Sequence, residues 1–250
     1  MEYNAFLIIL PSVFLFYAIL EWAMRRFRLR EVSSTNNWID AMSFLQSFAV
    51  IGPLVAYGGA SLAAALAPGA AGSLSHAPVL LQFAAFLLLE DMVQYWWHRS
   101  AHTFPRLWWL HRAHHTAPYM GIRMVYRNGL LYGLLMPNVW SAAVLVYLGF
   151  GEVYLAYSAI KGIVALGAHS EIRWDAWLYR ERALRPLAWL VERTISTPAT
   201  HFAHHAASEA DGIGHYSGNF GNLLFFWDVL FGTAHITRRY PAAFGLERQA

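Results

Sequence analysis

The sequence predicts an all-α, multi-pass transmembrane helical bundle of about four to five membrane segments, with a histidine-rich helical cap on the cytoplasmic side. Three observations predict it. The chain of 250 residues is 57% hydrophobic and only 13% charged, too apolar for an ordinary soluble domain. Apolar runs of span length recur along it, separated by arginine-bearing or small-residue connectors. Nine histidines lie just beyond those runs, and eight of them fall in three clusters at helical spacing.

Residues 4 to 24 are long enough to cross a hydrocarbon core, and Arg25, Arg26, Arg28 and Arg30 follow at once. The stretch lacks a positive leading region and a small-residue cleavage site, so it reads as a retained span, with its arginine end cytoplasmic. After the polar connector SSTNNWID, an apolar run from Ala41 to about Ala67 carries the chain outward; Gly52-Pro53 and Gly58-Gly59 are expected to kink or divide it. The loop PGAAGSLSHAP has no Lys or Arg, as suits a non-cytoplasmic turn, and residues 78 to 97 return as the next span. From about Leu130 to Ala168 the chain is apolar again, with a break at GFGE, which reads as a hairpin out and back. By this count His98 and everything from His169 onward emerge on one face of the membrane. Lys161, in the return arm of the hairpin, is expected at a shallow or interior-facing position. Tyr95 with the pairs Trp96-Trp97 and Trp108-Trp109 suits the membrane–water interface.

The chain is organised around DMVQYWWHRSAHTFPRLWWLHRAHH, residues 91 to 115. Residues three and four apart share a helix face, so His98 and His102 can point two imidazoles at one spot, as can His111, His114 and His115. Pro105 between the groups predicts two helical pieces joined by a bend. His201, His204 and His205 repeat the H-x-x-H-H spacing after Pro198, which suits a helix start. Eight clustered histidines exceed the four ligands of one tetrahedral zinc, so two metal ions are the simpler account.

Other chemistries are excluded or left without a motif. There is no cysteine, so disulfides, thiolate metal sites and cysteine-held iron–sulfur clusters are ruled out. The basic residues behind the pI of about 9.2 are mostly arginines beside apolar segments, without a basic tail or nucleic-acid motif. No Glu-x-x-His or H-E-x-x-H run occurs, which argues against carboxylate di-iron bundles and zinc proteases. Two other classes stay open on the residues alone: a metal-binding transporter or sensor without oxygen chemistry, and a structural membrane module whose histidines sense pH.

With boxes of the form H-x3-H, H-x2-H-H and H-x2-H-H in order, the chain resembles the fatty acid hydroxylase and sterol desaturase superfamily over roughly residues 80 to 235. The segments DMVQYWWHRSAH, LHRAHH, GAHSEI, STPATHFAHH and NFGNLLFFWDVLFGT carry the likeness. The resemblance implies N-terminal membrane helices over 1–79 and a single integrated catalytic unit over 80–250. It implies metal ligation by His98, His102, His111, His114, His115, His201, His204 and His205, with His169 in GAHSEI as a ninth ligand. Asp91, Asn219 and Asp228 match family positions and are candidates for orienting the imidazoles from outside the ligand set. The implied cofactor is two non-haem iron ions, for which zinc can substitute by intrinsic affinity. The implied reaction is O2-dependent hydroxylation or desaturation of a lipid, with hydroxylation the preferred reading. Electrons would come from a separate cytochrome b5- or ferredoxin-like protein that meets an arginine-lined cytoplasmic surface. His215 falls outside the pattern, and His76 and His235 read as hydrogen-bonding or capping residues. The ending ERQA shows no reticulum-retention signal, which favours a bacterial inner membrane.

Overall fold

A helix that is apolar all round satisfies its own backbone but needs lipid or protein on every side. That requirement shapes the first two-thirds of the chain. The computed structural model describes residues 2–27 and 31–246, and among them it contains no β-strand, only an isolated bridge between Ala206 and Phe244. Arg28, Arg30 and the ERQA ending, on which the sequence reading drew, lie outside the described residues.

The first helix, α1 (Glu2–Ala23), is followed by α2 (Ser34–Gln46) and α3 (Gly52–Leu66), which run on through a π-helical turn at Ser47–Ile51. A second such turn, Leu87–Asp91, joins α4 (Val79–Phe86) to α5 (Met92–Thr103). By length and apolar composition three helical stretches are able to cross a membrane, Ser34–Leu66, Val79–Thr103 and Pro137–His169, the last of them broken at Gly149, and a shorter apolar helix covers Ile8–Ala23. Their outer faces are bare hydrocarbon: Leu66 is 77% and Leu80 85% exposed, as side chains meant for lipid would be.

Of the two outcomes expected for Gly52-Pro53 and Gly58-Gly59, a kink or a division, division does not occur: the second span is helical from Ser34 to Leu66. Pro53 sits in the first turn of α3, directly after the π turn, where its missing N–H disturbs the ladder least. Gly59 instead lets two helices touch, since a Cβ there would lie 2.6 Å from the Cβ of Ala143.

Beyond α5, Phe104 is extended and Pro105 opens α6 (Pro105–His111), which is the bend the sequence predicts. A loop leads to α7 (Leu130–Leu135), and the hairpin follows as α8 (Pro137–Leu145), a π turn and α9 (Gly151–His169). Gly149 makes the reversal at φ 111°, pressed so closely on Ser75 that a Cβ would lie 2.9 Å from its backbone nitrogen. The chain therefore climbs along α8 from Asn138, beside Glu90, to Tyr147, whose carbonyl accepts from Gly72 N–H at 3.0 Å. It returns along α9 to end on His169. Phe86, Leu145, Phe150 and Tyr157 form the core between α4, α8 and α9. α1 lies along α9, with Tyr17 packed on Leu166 and donating to the carbonyl of Ile163 at 2.9 Å.

The cap is completed by short helices: α10 (Asp175–Arg180), α11 (Arg185–Thr194), α12 (Pro198–His204) and α13 (Phe226–Phe231). Three aspects of its surface differ from the sequence expectation. Tyr95 is a core residue, packed with Phe220 and Trp227 and hydrogen-bonded to Thr233, whereas Trp96 and Trp109 are exposed. Trp108 lies against the His102 and His115 rings. Arg123 and Arg127 are buried, not displayed: Asp40 faces both guanidiniums, at 4.0 and 3.5 Å, and Asn37 and Asn36 accept from them. A buried guanidinium needs an anion and acceptors, and α2 supplies them.

Because Gly59 and Ala143 are already in contact, Gly59→Val should force α3 away from α8. The expected cost is about 1–3 kcal/mol, read as a lowered thermal unfolding midpoint in detergent or nanodiscs; an unchanged midpoint would show that the contact is slack.

Candidate metal centre

Each histidine reaches the centre by a local rule. On α5, the four-residue spacing puts His98 and His102 on one face, and the Pro105 bend swings His111 at the end of α6 back towards them. A 3-10 turn, His114–Thr116, follows instead of a continued helix. His169 is the last residue of α9. Thr197 caps α12 in a capping box with Pro198 in its first turn, and the helix delivers His201 and His204, with His205 at its end.

All nine side chains meet, in two groups. His98, His102, His111, His115 and His204 form one, and His114, His169, His201 and His205 the other; within each, one nitrogen per residue lies within 4.8 Å of the rest. Eight of the nine are buried and His102 is half-buried. Neither group contains an Asp or Glu.

The grouping corrects one sequence expectation. His111, His114 and His115 do not converge on one spot: His111 and His115 join the first group and His114 the second. In the repeat, His201 and His205 join the second group while His204 crosses to the first. An H-x-x-H-H box therefore sends its four-apart pair to one group and its middle residue to the other. Two such boxes, used in opposite senses, bind the groups together, and the rings of His115 and His205 stack between them at 4.4 Å.

The hydrogen bonds show what the nitrogens can do. Nδ1 of His98 lies 2.8 Å from the carbonyl of Phe220, Nδ1 of His204 2.7 Å from that of Gly218, and Nδ1 of His169 2.7 Å from that of Ala165. A carbonyl only accepts, so these rings carry the proton on Nδ1 and leave the lone pair on Nε2. Yet the Nε2 atoms of His98 and His204 face each other at 3.0 Å, and those of His169 and His201 at 2.9 Å. Between His98 and His204, both protonated at Nδ1, the opposed lone pairs repel unless a cation lies between them. Two nitrogens held about 2.1 Å from one ion, at right or tetrahedral angles, are about 3.0 to 3.4 Å apart. The pairs His111–His115, His201–His205 and His114–His169, at 3.2, 3.2 and 3.4 Å, fall in the same range. The residues fit a pair of metal ions bound through imidazole.

Burial, and then the neighbouring imidazoles, push His111, His114, His115, His201 and His205 well below the ordinary histidine value, and His204 likewise despite its bond to Gly218. They are neutral near pH 7, the form in which imidazole donates a lone pair.

The second tier is a loop. Asp228 accepts from the N–H of Phe220 and Gly221 at 2.8 and 2.7 Å and from the Thr233 hydroxyl at 2.6 Å. Burial pushes its carboxyl up to about 6 against those three donors, so it is ionised at neutral pH. Asn219 takes a left-handed backbone, φ 57°, and its amide ties the carbonyl of Thr200 to that of His235. Asp91 accepts from Leu223 N–H, Leu224 N–H and the Trp227 indole. None of the three is bonded to an imidazole. They hold segment 218–227, whose carbonyls set the tautomers of His98 and His204. Glu21 was not singled out in the sequence: its carboxylate accepts from Ile122 N–H, Ser170 and Glu171 N–H and so fixes the exit of His169. Its signal was an acid at the end of an apolar span, obscured by the arginines that follow. His215 and His235 lie against each other with ring centroids 4.8 Å apart, outside both groups.

A cavity of about 280 Å³ opens from the histidines into the helical bundle, with His98, His111, His114, His169 and His201 at one end. A smaller apolar pocket of about 130 Å³ adjoins it, the two sharing Leu10, Ser47, Ile51, Tyr126, Val139 and Tyr154.

A family model described as fatty acid hydroxylase matches residues 83–233 of the chain. No curated protein and no solved structure matches it.

Asp228→Ala should leave His98 and His204 in place but free to turn, lowering metal affinity by about 10- to 100-fold; titration of the metal-free protein with a divalent ion checks it. The buried histidines outside the spans have folded-state values below the unfolded value of about 6.5, so below that pH the unfolded chain binds more protons. The thermal midpoint of metal-free protein is therefore expected to fall as the pH is lowered from about 7 to about 5, and a midpoint flat across that window would contradict the burial.

Proposed function

The chain belongs to the fatty acid hydroxylase family, and we propose that it is a membrane-bound, O2-dependent oxidoreductase that hydroxylates a C–H bond of a lipid at a di-iron centre held by these nine histidines. The observation that carries the reading is the convergence of imidazole Nε2 atoms at ligand-edge distances in two adjoining groups. Bound iron would supply the oxidising power, and zinc is the metal expected to displace it in a purified sample.

The chain's own residues do the rest. Carbonyls of Phe220, Gly218 and Ala165 hold three rings in the ligating tautomer. The cavity walls bring a lipid to the histidines and keep bulk water away. Electrons would come from a separate cytochrome b5- or ferredoxin-like donor, for which exposed Arg106 and Arg112 near the centre offer positive charge. Arginines after α1 and along the cap support a cytoplasmic position for the histidine end, and the membrane we propose is a bacterial inner membrane.

A transporter would need polar groups across the whole bilayer. Here the cavity turns apolar beyond Tyr157, where Val55, Ala56, Ala143 and Val146 line the adjoining pocket, which supports a site for an apolar ligand over an ion path.

His114→Ala removes a donor from the smaller group. It should abolish lipid oxidation and reduce metal content while leaving membrane insertion intact, measured by product analysis, elemental analysis and fractionation. Activity retained with full metal loading would remove His114 from the ligand set.

A further inference from the structure

One buried polar cluster lies outside the metal centre and meets the loop around it only through Asp91. Lys161 on α9 donates to Glu90, which also accepts from Tyr157 at 2.5 Å and from Asn138 at 2.7 Å, and Asp91 lies 3.6 Å from the ammonium. Ionisable groups at membrane depth are expensive and need a reason. A helix-joining role would be met by full burial, yet the Lys161 side chain keeps 15% of its surface open, and it lines the cavity that ends at the histidines.

The spacing relates the cluster to the centre. Glu90, Gln94 and His98 follow at four-residue steps on one helix, and Lys161, Ala165 and His169 do the same on α9; all six line the cavity. Each stripe carries a polar anchor two turns, about 12 Å, from a histidine of the centre. Along that stretch, Gln94 Oε1 and Asn138 Oδ1 have no hydrogen-bond partner, and Asn138 is 1% exposed.

We propose that Lys161 and Glu90 bind the uncharged oxygen headgroup, a hydroxyl, of a single-chain lipid and set which carbon reaches the metal centre. This rests on the oxygenase reading and names the substrate class for the same site. A hydroxyl can accept from the ammonium and donate to the carboxylate in one contact. A free carboxylate is disfavoured, because two acids already face the single lysine and leave no surplus positive charge. The fixed span makes the pair a ruler: the oxidised carbon lies roughly ten bonds from the oxygen in an extended chain.

The test uses undecan-1-ol, undecane and undecanoate probes, each bearing a diazirine at the penultimate carbon, photolysed with the full-length protein in nanodiscs and mapped by mass spectrometry. The alcohol should label the histidine end of the cavity, around Val125 and Leu166, about tenfold more than the alkane or the carboxylate. Lys161→Met should erase that preference. Because it also strands Glu90, the charge-neutral pair Lys161→Met with Glu90→Gln is read beside it, and Lys161→Arg should restore part of the preference. A purely structural role would lower labelling by all probes alike and leave the ratio unchanged; that result, or carboxylate labelling equal to alcohol, overturns the proposal. Elemental analysis of the same samples keeps the two readings apart. Wild-type protein without metal would count against the oxygenase, whereas metal-loaded protein whose alcohol preference survives both substitutions would count against the anchor alone.

Discussion

Lone pairs that face one another inside a dry site are the constraint on which the rest of the structure depends. An imidazole whose Nδ1 proton is committed to a backbone carbonyl has nowhere to turn its Nε2 except inward. Crowding three such rings among six further imidazoles is unfavourable, so the fold must hold them from outside. Asp228, Asp91, Asn219 and Glu21 do this through backbone N–H groups, hydroxyls and amides, without touching a ring. The stabilising contacts lie one layer beyond the strained ones. That is the expected arrangement where local strain is kept for function.

Much of this was legible in the sequence, because it rests on short-range rules. Pro105 and Pro198 act within their own helical turns, and the GFGE break needs only a glycine that tolerates positive φ, as Gly149 does. What spacing could not give was the division of each box between two groups. Four-apart and three-apart residues share a helix face equally well, and the choice between them depends on which box packs opposite, a contact ninety residues away in sequence. The same limit explains Tyr95 and Arg127. An aromatic beside a span and an arginine beside a histidine suit an interface in isolation, but Trp227 covers the one and Asp40 pairs with the other.

The loop 218–227 shows the two scales joined. In the sequence Asn219 and Asp228 stand out as candidates for orienting the imidazoles from outside the ligand set. In the structure they act through the backbone between them. Asn219 takes the left-handed backbone that few other residues tolerate, and this turns the carbonyls of Gly218 and Phe220 towards two imidazoles. A residue with a local conformational role is thereby the one that sets a tautomer, so the distinction between structural and chemical residues does not hold at this site.

The π turn at Leu87–Asp91 carries that argument into the membrane. Its two acids are consecutive, yet they serve different ends: Glu90 faces the cavity and Lys161, while Asp91 also grips the loop that orients His98 and His204. A regular α-helix keeps a constant register along its length, and one wide turn shifts it, so that helix α5 can present His98 to the centre while the helix before it packs on α9. The same five residues therefore fix the cavity wall and the position of the histidines relative to it. Any movement of the wall would be transmitted to the imidazoles through Asp91, which makes the distance from cavity to centre a property of one turn of helix.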